Sequence, residues 1–136
     1  MLLAMGAARP VLLPGEEEQL GRGVSYCATC DGMFYRGRRI AVLSGSAQGV
    51  EESAFLAGLA AELDYYRLKA HDMTGLDARI HPREEKPRAI ARDGEALVLQ
   101  TDRGAHRYDG IFIFRAWRMP LSMLLADLAP RAATSP

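Results

Sequence analysis

Residues 39–68 read Arg-Ile-Ala-Val-Leu-Ser-Gly-Ser-Ala-Gln-Gly-Val-Glu-Glu-Ser-Ala-Phe-Leu-Ala-Gly-Leu-Ala-Ala-Glu-Leu-Asp-Tyr-Tyr-Arg-Leu. Arg39–Leu43 is a short apolar run with Ile40 and Val42, preceded by Gly37 and closed by Ser44-Gly45-Ser46. An apolar run bounded by turn residues is the pattern of a strand buried on both faces of a parallel sheet. Val50, Ala54, Ala57 and Ala61 follow at helical spacing, with Phe55 and Leu59 alongside. They predict a helix from about Ala47 to Ala61. Leu63–Leu68 reads as a second strand. Strand, glycine-containing turn, helix and strand form a βαβ unit, which crosses over right-handed. The fold class is therefore α/β, with a Rossmann-like unit and a parallel sheet.

Downstream, His71–Lys86 is polar, carries Gly75 and Pro82, and reads as a loop with at most one helical turn. Arg88–Ala91 and Ala96–Thr101 flank Asp93-Gly94, a strong hairpin signal. Ala105–Tyr108 follows the turn Asp102-Arg103-Gly104 and completes a small antiparallel meander. Ile111–Phe114 is another apolar strand. Leu121, Leu124, Leu125 and Leu128 share one helical face. Upstream, Met1–Met5 reads as a strand end, Arg9-Pro10 and Pro14-Gly15 mark a loop, and Glu16, Glu17 and Glu18 read as a solvated turn.

The chain has 136 residues, enough for one domain, and 17 acidic residues balance 17 basic ones. That balance gives no electrostatic footprint for nucleic acid or an anionic membrane. No stretch approaches the roughly 20 apolar residues of a membrane span. The opening ten residues are too short, and lack the basic start, for a secretory signal, so the expected compartment is the cytoplasm.

The only two cysteines are Cys27 and Cys30, followed by Asp31-Gly32. Two cysteines cannot frame a disulfide scaffold, and they fall short of the four ligands of structural zinc. His71, His81 and His106 stand at no metal-ligand spacing from them, so no metal is expected. A CxxC pair instead suits dithiol/disulfide exchange: the thiolate attacks, and a helix N-terminus favours its charge. Asp31 reads equally as a proton carrier for one sulfur or as a turn residue before Gly32.

Gly23–Tyr35, Gly-Val-Ser-Tyr-Cys-Ala-Thr-Cys-Asp-Gly-Met-Phe-Tyr, closely resembles the active-site segment of low-molecular-weight thioredoxin reductases. Leu2–Ala7 is similar to the end of that family's first FAD segment, Pro14-Gly15-Glu16 to the loop after it, and Arg36–Val42 to the approach to its pyridine-nucleotide domain. Asp109–Ile113 resembles the strand leading back to the FAD domain. The likeness is close from Leu2 to about Leu59, loose in the middle, and returns near Asp109. The resemblance implies an oxidoreductase in which electrons pass from NADPH through FAD to Cys27 and Cys30, and on to a thioredoxin-like disulfide protein. Cys30 is then the flavin-facing sulfur and Asp31 the acid. The implied fold is the inserted nucleotide-binding domain of a flavoprotein with two dinucleotide domains. Residues 1–136 form one NAD(P)-binding-like domain, with 1–20 and 115–136 as stumps of a missing FAD domain.

The resemblance breaks at the nucleotide fingerprint. The family's G-x-G-x-x-A/G aligns with Ser44-Gly45-Ser46-Ala47-Gln48-Gly49. Glycine serves the first position for a tight turn and the second for close approach to pyrophosphate; both are Ser here. Gly49 alone fits, at the helix-packing position. Serine hydroxyls and the helix N-terminus still favour an anion, so Ser44, Gly45, Ser46 and Gly49 stand as candidate cofactor residues. Arg67 and Lys69 stand where the family grips the 2′-phosphate of NADPH. Arg115-Ala116-Trp117 replaces a small glycine-containing turn. Two functions compete on these residues. One is a thioredoxin-reductase-like disulfide reductase, including a variant fed by a non-nicotinamide donor. The other is a truncated nucleotide-fold module for redox sensing or protein interaction. In that second reading, apolar segments at both ends, Met1–Met5 and Leu121–Leu128, pair with another chain, which predicts a homo-oligomer.

Overall fold

The structure is a computed structural model that describes residues 12–115. The chain divides into a unit spanning Leu12–Ala116 and a second made of Met1–Val11 and Trp117–Pro136. All the described residues lie in the first, and the terminal strand end and the 121–128 helix expected from sequence fall outside them. In order, the elements are β1 (Val24–Ser25), α1 (Ala28–Asp31), β2 (Arg39–Ser44), α2 (Gln48–Ala57), β3 (Glu62–Arg67), β4 (His81–Arg83), β5 (Pro87–Asp93), β6 (Ala96–Thr101), β7 (Gly104–Tyr108) and β8 (Gly110–Phe114). Single 3-10 turns cover Glu17–Gln19 and Gly32–Tyr35.

β1, β8, β2, β3 and β4 form a five-stranded sheet in that order, and every neighbouring pair is parallel. β5, β6 and β7 make the separate antiparallel meander. The parallel sheet alternates its side chains between two cores. Ala41 and Leu43 of β2 face the meander and pack with Tyr66, Leu97 and Ile113. Ile40 and Val42 point the other way and pack with Leu56, Leu63 and Phe112. Each of the larger aliphatic and phenylalanine side chains buried this way contributes about 1.5–3 kcal/mol. The βαβ unit read at 39–68 is thus the centre of the sheet, because only a strand covered on both faces needs so unbroken an apolar run.

Three details differ from the sequence reading. α2 ends at Ala57, and its buried face is Gly49, Val50, Ser53, Leu56 and Ala57, with Ala54 exposed. Gly58-Leu59-Ala60 instead tightens the helix end, with the amides of Leu59 and Ala60 both donating to the Leu56 carbonyl. β4 lies inside the stretch read as loop. Its His-Pro-Arg sequence is polar and proline-bearing, which suits an edge strand held by the β3 ladder rather than by apolar side chains. Glu16 is not solvated: it is fully buried.

Asp64 of β3 is a second buried carboxylate. It accepts from the Tyr108 hydroxyl at 2.5 Å, and Tyr66 in turn donates to Tyr108 at 2.6 Å. Arg39, His81 and Arg83 surround it at 3.5–3.9 Å. Tyr108 sits on β7, so this carboxylate joins the two sheets.

Candidate functional site

In open α/β sheets ligands gather beyond the carboxyl ends of the strands. Three of the sequence-derived groups sit on that edge. The Cys27–Cys30 segment follows β1, the 44–49 turn follows β2, and Arg67 ends β3. The ladder sets Val24 opposite Ile111 and Ile111 opposite Ala41. The cysteine segment and the 44–49 turn therefore leave the sheet at the same edge, from β1 and β2, with β8 between them.

Cys27 and Cys30 form a disulfide, with Cα atoms 5.3 Å apart. Cys27 is the N-cap of α1, and its sulfur accepts the Cys30 amide at 3.2 Å. The Thr29 hydroxyl lies 3.6 Å from the same sulfur. Cys30 is exposed and Cys27 half-buried. The turn rests on α2: a Cβ at Gly32 would stand 3.0 Å from Leu56 and 3.1 Å from Phe55. Ser25 ends β1, accepts the Cys27 amide at 3.1 Å, and donates to the Asp31 carboxylate at 2.5 Å. Asp31 is therefore anchored to the strand that presents Cys27.

Three further residues, Glu16, Tyr26 and Arg115, none of them a candidate site residue in the sequence reading, brace this segment from outside. Glu16 accepts both Arg115 guanidinium nitrogens, at 2.6 and 2.7 Å, the Tyr26 hydroxyl at 2.5 Å and the Leu13 amide at 3.0 Å. Burial pushes its carboxyl up, but those four donors outweigh burial and hold it below the usual range. Burial and the Glu16 charge push the Tyr26 phenol up to about 12. No local pattern announces this cluster, because Arg115 is 99 positions from Glu16.

The fingerprint turn is closed on itself. The buried Ser44 hydroxyl donates to the Ser46 carbonyl at 2.7 Å and accepts the Ser46 amide at 3.3 Å. The Ser46 hydroxyl accepts the Gln48 amide at 3.3 Å. The Gly45 amide donates to the Phe114 carbonyl at 2.7 Å, and the Gly49 and Val50 amides donate to Ser46 and Ala47. Those amides would have to face a bound pyrophosphate, and here they donate to oxygens of the turn itself and of β8. A Cβ at Gly49 would collide with the Ser44 side chain. Arg67 is the ladder partner of Ser44, and the Leu68 amide donates to the Ser44 carbonyl, so the basic pair flanks the turn. Lys69 is exposed, and its carbonyl accepts from His71 Nδ1 at 2.7 Å. His71 Nε2 then accepts the hydroxyl of the buried Tyr65 at 2.8 Å.

Among the described residues no cluster of His, Cys, Asp or Glu is placed to hold a metal, and no helix is long and apolar enough to cross a membrane.

No family model matches the chain. It is 38% identical over 145 residues to the thioredoxin reductase of Bacillus subtilis, a match covering 94% of the chain and 46% of that protein. It is 50% identical over 64 residues to the thioredoxin reductase of Escherichia coli O157:H7, covering 46% of the chain and 20% of that protein. A ferredoxin-flavin thioredoxin reductase from Clostridium acetobutylicum superposes with a TM-score of 0.71 at 29% identity, covering 85% of the chain and 40% of the neighbour. The chain spans less than half the length of each of these proteins. With its CxxC segment leading into a Rossmann-like sheet, the chain is similar in sequence and fold to part of the thioredoxin reductases, and its extent fits their NADPH-domain portion.

Proposed function

We propose that this chain performs dithiol/disulfide exchange at Cys27 and Cys30 as part of a disulfide reductase acting on a thioredoxin-like protein in the cytoplasm. The observation that carries the reading is the Cys27–Cys30 disulfide on an exposed turn with Asp31 anchored beside it. In the reduced state one thiolate attacks the partner's disulfide and forms a mixed disulfide, expelling one partner thiolate. The second cysteine then attacks the mixed disulfide, reforms the Cys27–Cys30 bond and releases the second thiol. Two electrons and two protons leave the pair for the partner. Asp31 is the proposed carrier of one proton, held in place by Ser25.

FAD, when bound, supplies the two-electron reduction that resets the pair; no Gly-rich FAD fingerprint lies among the described residues. A nicotinamide dinucleotide fits the 44–49 turn poorly, because the Gly45, Ser46, Gln48 and Gly49 amides and both serine hydroxyls are already engaged within the protein. We therefore draw no step through NADPH. The Clostridium neighbour is named a ferredoxin-flavin enzyme, and a donor of that kind needs no pyrophosphate cradle. The same closed turn favours a second reading, a redox-sensing or interaction module that does not turn over.

Insulin-disulfide reduction driven by dithiothreitol separates the two. The wild-type chain is expected to exceed the background rate, while Cys27→Ser and Cys30→Ser fall to it. Full activity in both single variants refutes the assignment, and no activity in the wild type favours the module.

A further inference from the structure

Glu16 gathers three stretches of chain on one buried carboxylate: the Leu13–Glu16 turn, Tyr26 beside Cys27, and Arg115 just after β8. Glu16 is fully buried, and the Arg115 side chain is 15% exposed. A bidentate guanidinium–carboxylate pair fixes direction as well as distance. The Tyr26 hydroxyl reaches this pair although its ring is 43% exposed, so the ring is held at its tip. Ser25, one residue earlier, is 4% exposed and tied to Asp31 and to the Cys27 amide. The backbone leading to Cys27 is thus pinned at two consecutive side chains, Ser25 and Tyr26, by separate partners. The other cysteine has its own support, since the α1 turn and the 3-10 turn after it lie on Leu56 and Phe55 of α2. None of these contacts involves the sulfurs themselves.

We infer that Glu16 is a positioning residue for the dithiol: through Tyr26 it holds the Cys27 backbone against β8 and so raises the effective concentration of one sulfur for the other. The inference rests on Cys27 and Cys30 exchanging with external thiols, as proposed above. Opening the disulfide releases the constraint between the two Cα atoms, and how readily it closes again depends on what keeps their backbones in place. The clamp favours the oxidised pair. Removing it makes the pair easier to reduce. Glu16 takes no proton or electron in the exchange, so its effect falls on the equilibrium between the two states.

The test equilibrates the chain with graded mixtures of reduced and oxidised dithiothreitol, traps free thiols with a maleimide, and reads the reduced fraction. Each turnover breaks the Cys27–Cys30 bond, yields two protein thiols and closes one cyclic dithiothreitol disulfide. Tyr26→Phe removes only the hydroxyl contact and keeps the Glu16–Arg115 pair, so it reports on the clamp even if Glu16→Gln folds poorly. Both variants are expected to favour reduction by about tenfold, which is a rise of about 30 mV in the midpoint potential. A purely structural role would lower the melting temperature and leave the potential in place. Potentials of both variants within twofold of the wild-type equilibrium overturn the inference. A wild-type pair that never equilibrates overturns the exchange reading as well, which distinguishes the two failures.

Discussion

Gly49→Ala is the most direct probe of why the fingerprint keeps its last glycine after losing the first two. An added Cβ would lie 2.5 Å from the Ser44 Cβ, would collide with the Ser44 hydroxyl, and would stand 3.3 Å from the Tyr65 hydroxyl. Ser44 and Tyr65 are both fully buried on neighbouring central strands, so neither can turn away. Forcing a methyl into such a site costs about 1–3 kcal/mol. Alanine recovers up to ~1 kcal/mol of helix propensity over glycine. With that recovery in full, the net loss is about 0–2 kcal/mol. For a unit of this size each kcal/mol is worth roughly 4–8 °C in Tm. The obstruction is the Ser44 side chain, so Ser44→Gly should remove most of it. In that background Gly49→Ala is expected to be neutral or mildly stabilising, giving a coupling of about 2 kcal/mol between the positions. Urea unfolding followed by far-UV circular dichroism on wild type, both single variants and the double variant closes the cycle. If Gly49→Ala costs the same with or without Ser44, the two residues are independent and the account of the turn fails.

Other outcomes follow from the same geometry. The Glu16 carboxyl is held below its ordinary value of 4.5 in the folded chain, so the unfolded chain binds the proton first. Its stabilisation is complete above that value and drains away as pH falls through the lower folded value; Glu16→Gln should flatten the acid limb of a stability–pH curve, and an unchanged limb contradicts the assignment. Tyr26 carries the opposite sign: its phenol is raised from 10.0 to about 12, so its stabilisation is intact below 10 and lost towards 12, a loss Tyr26→Phe should abolish in an alkaline unfolding series. Titration calorimetry should show weak NADPH binding to the wild type. A dissociation constant near ~1 μM, equivalent to about −8 kcal/mol, would show that the serine turn opens for the nucleotide. Ser44→Gly with Ser46→Gly should free the Ser46 and Gln48 amides and tighten binding by on the order of tenfold, so unchanged affinity removes the paired amides as the cause.

The parts of the fold legible in the sequence are those written in apolar spacing. Ile40 to Leu43 announces a strand buried on both faces, and Asp93-Gly94 announces the β5–β6 hairpin, where Gly94 adopts φ +67°. β4 was invisible because its pairing is made by backbone groups of Asp64 to Tyr66, and nothing in His81-Pro82-Arg83 encodes them. Cys27 and Cys30 were legible because sulfur chemistry needs both atoms on one turn. Asp31 was legible only as an acid beside them; its anchor, Ser25, depends on how β1 delivers the chain into α1. Glu16 misled for a physical reason. Three consecutive glutamates look solvated, and what buries the first is an arginine at the far end of the described chain. The sequence shows Ser44 and Ser46 as a departure from the glycine pattern and leaves their hydroxyls available for an anion, whereas in the fold the Ser44 hydroxyl bonds to the Ser46 carbonyl.

The carboxylate of Asp64 carries one last implication. It belongs to the parallel layer, yet the phenol that satisfies it rises from the meander. Parting the layers removes that donor and exposes to water the apolar core they share, in which Leu43 and Tyr66 pack with Leu97 and Tyr108. Melting should therefore take both layers at once, and slow amide protons of β3 and β7 should be released to deuterium with a shared opening energy, as in a single cooperative foldon.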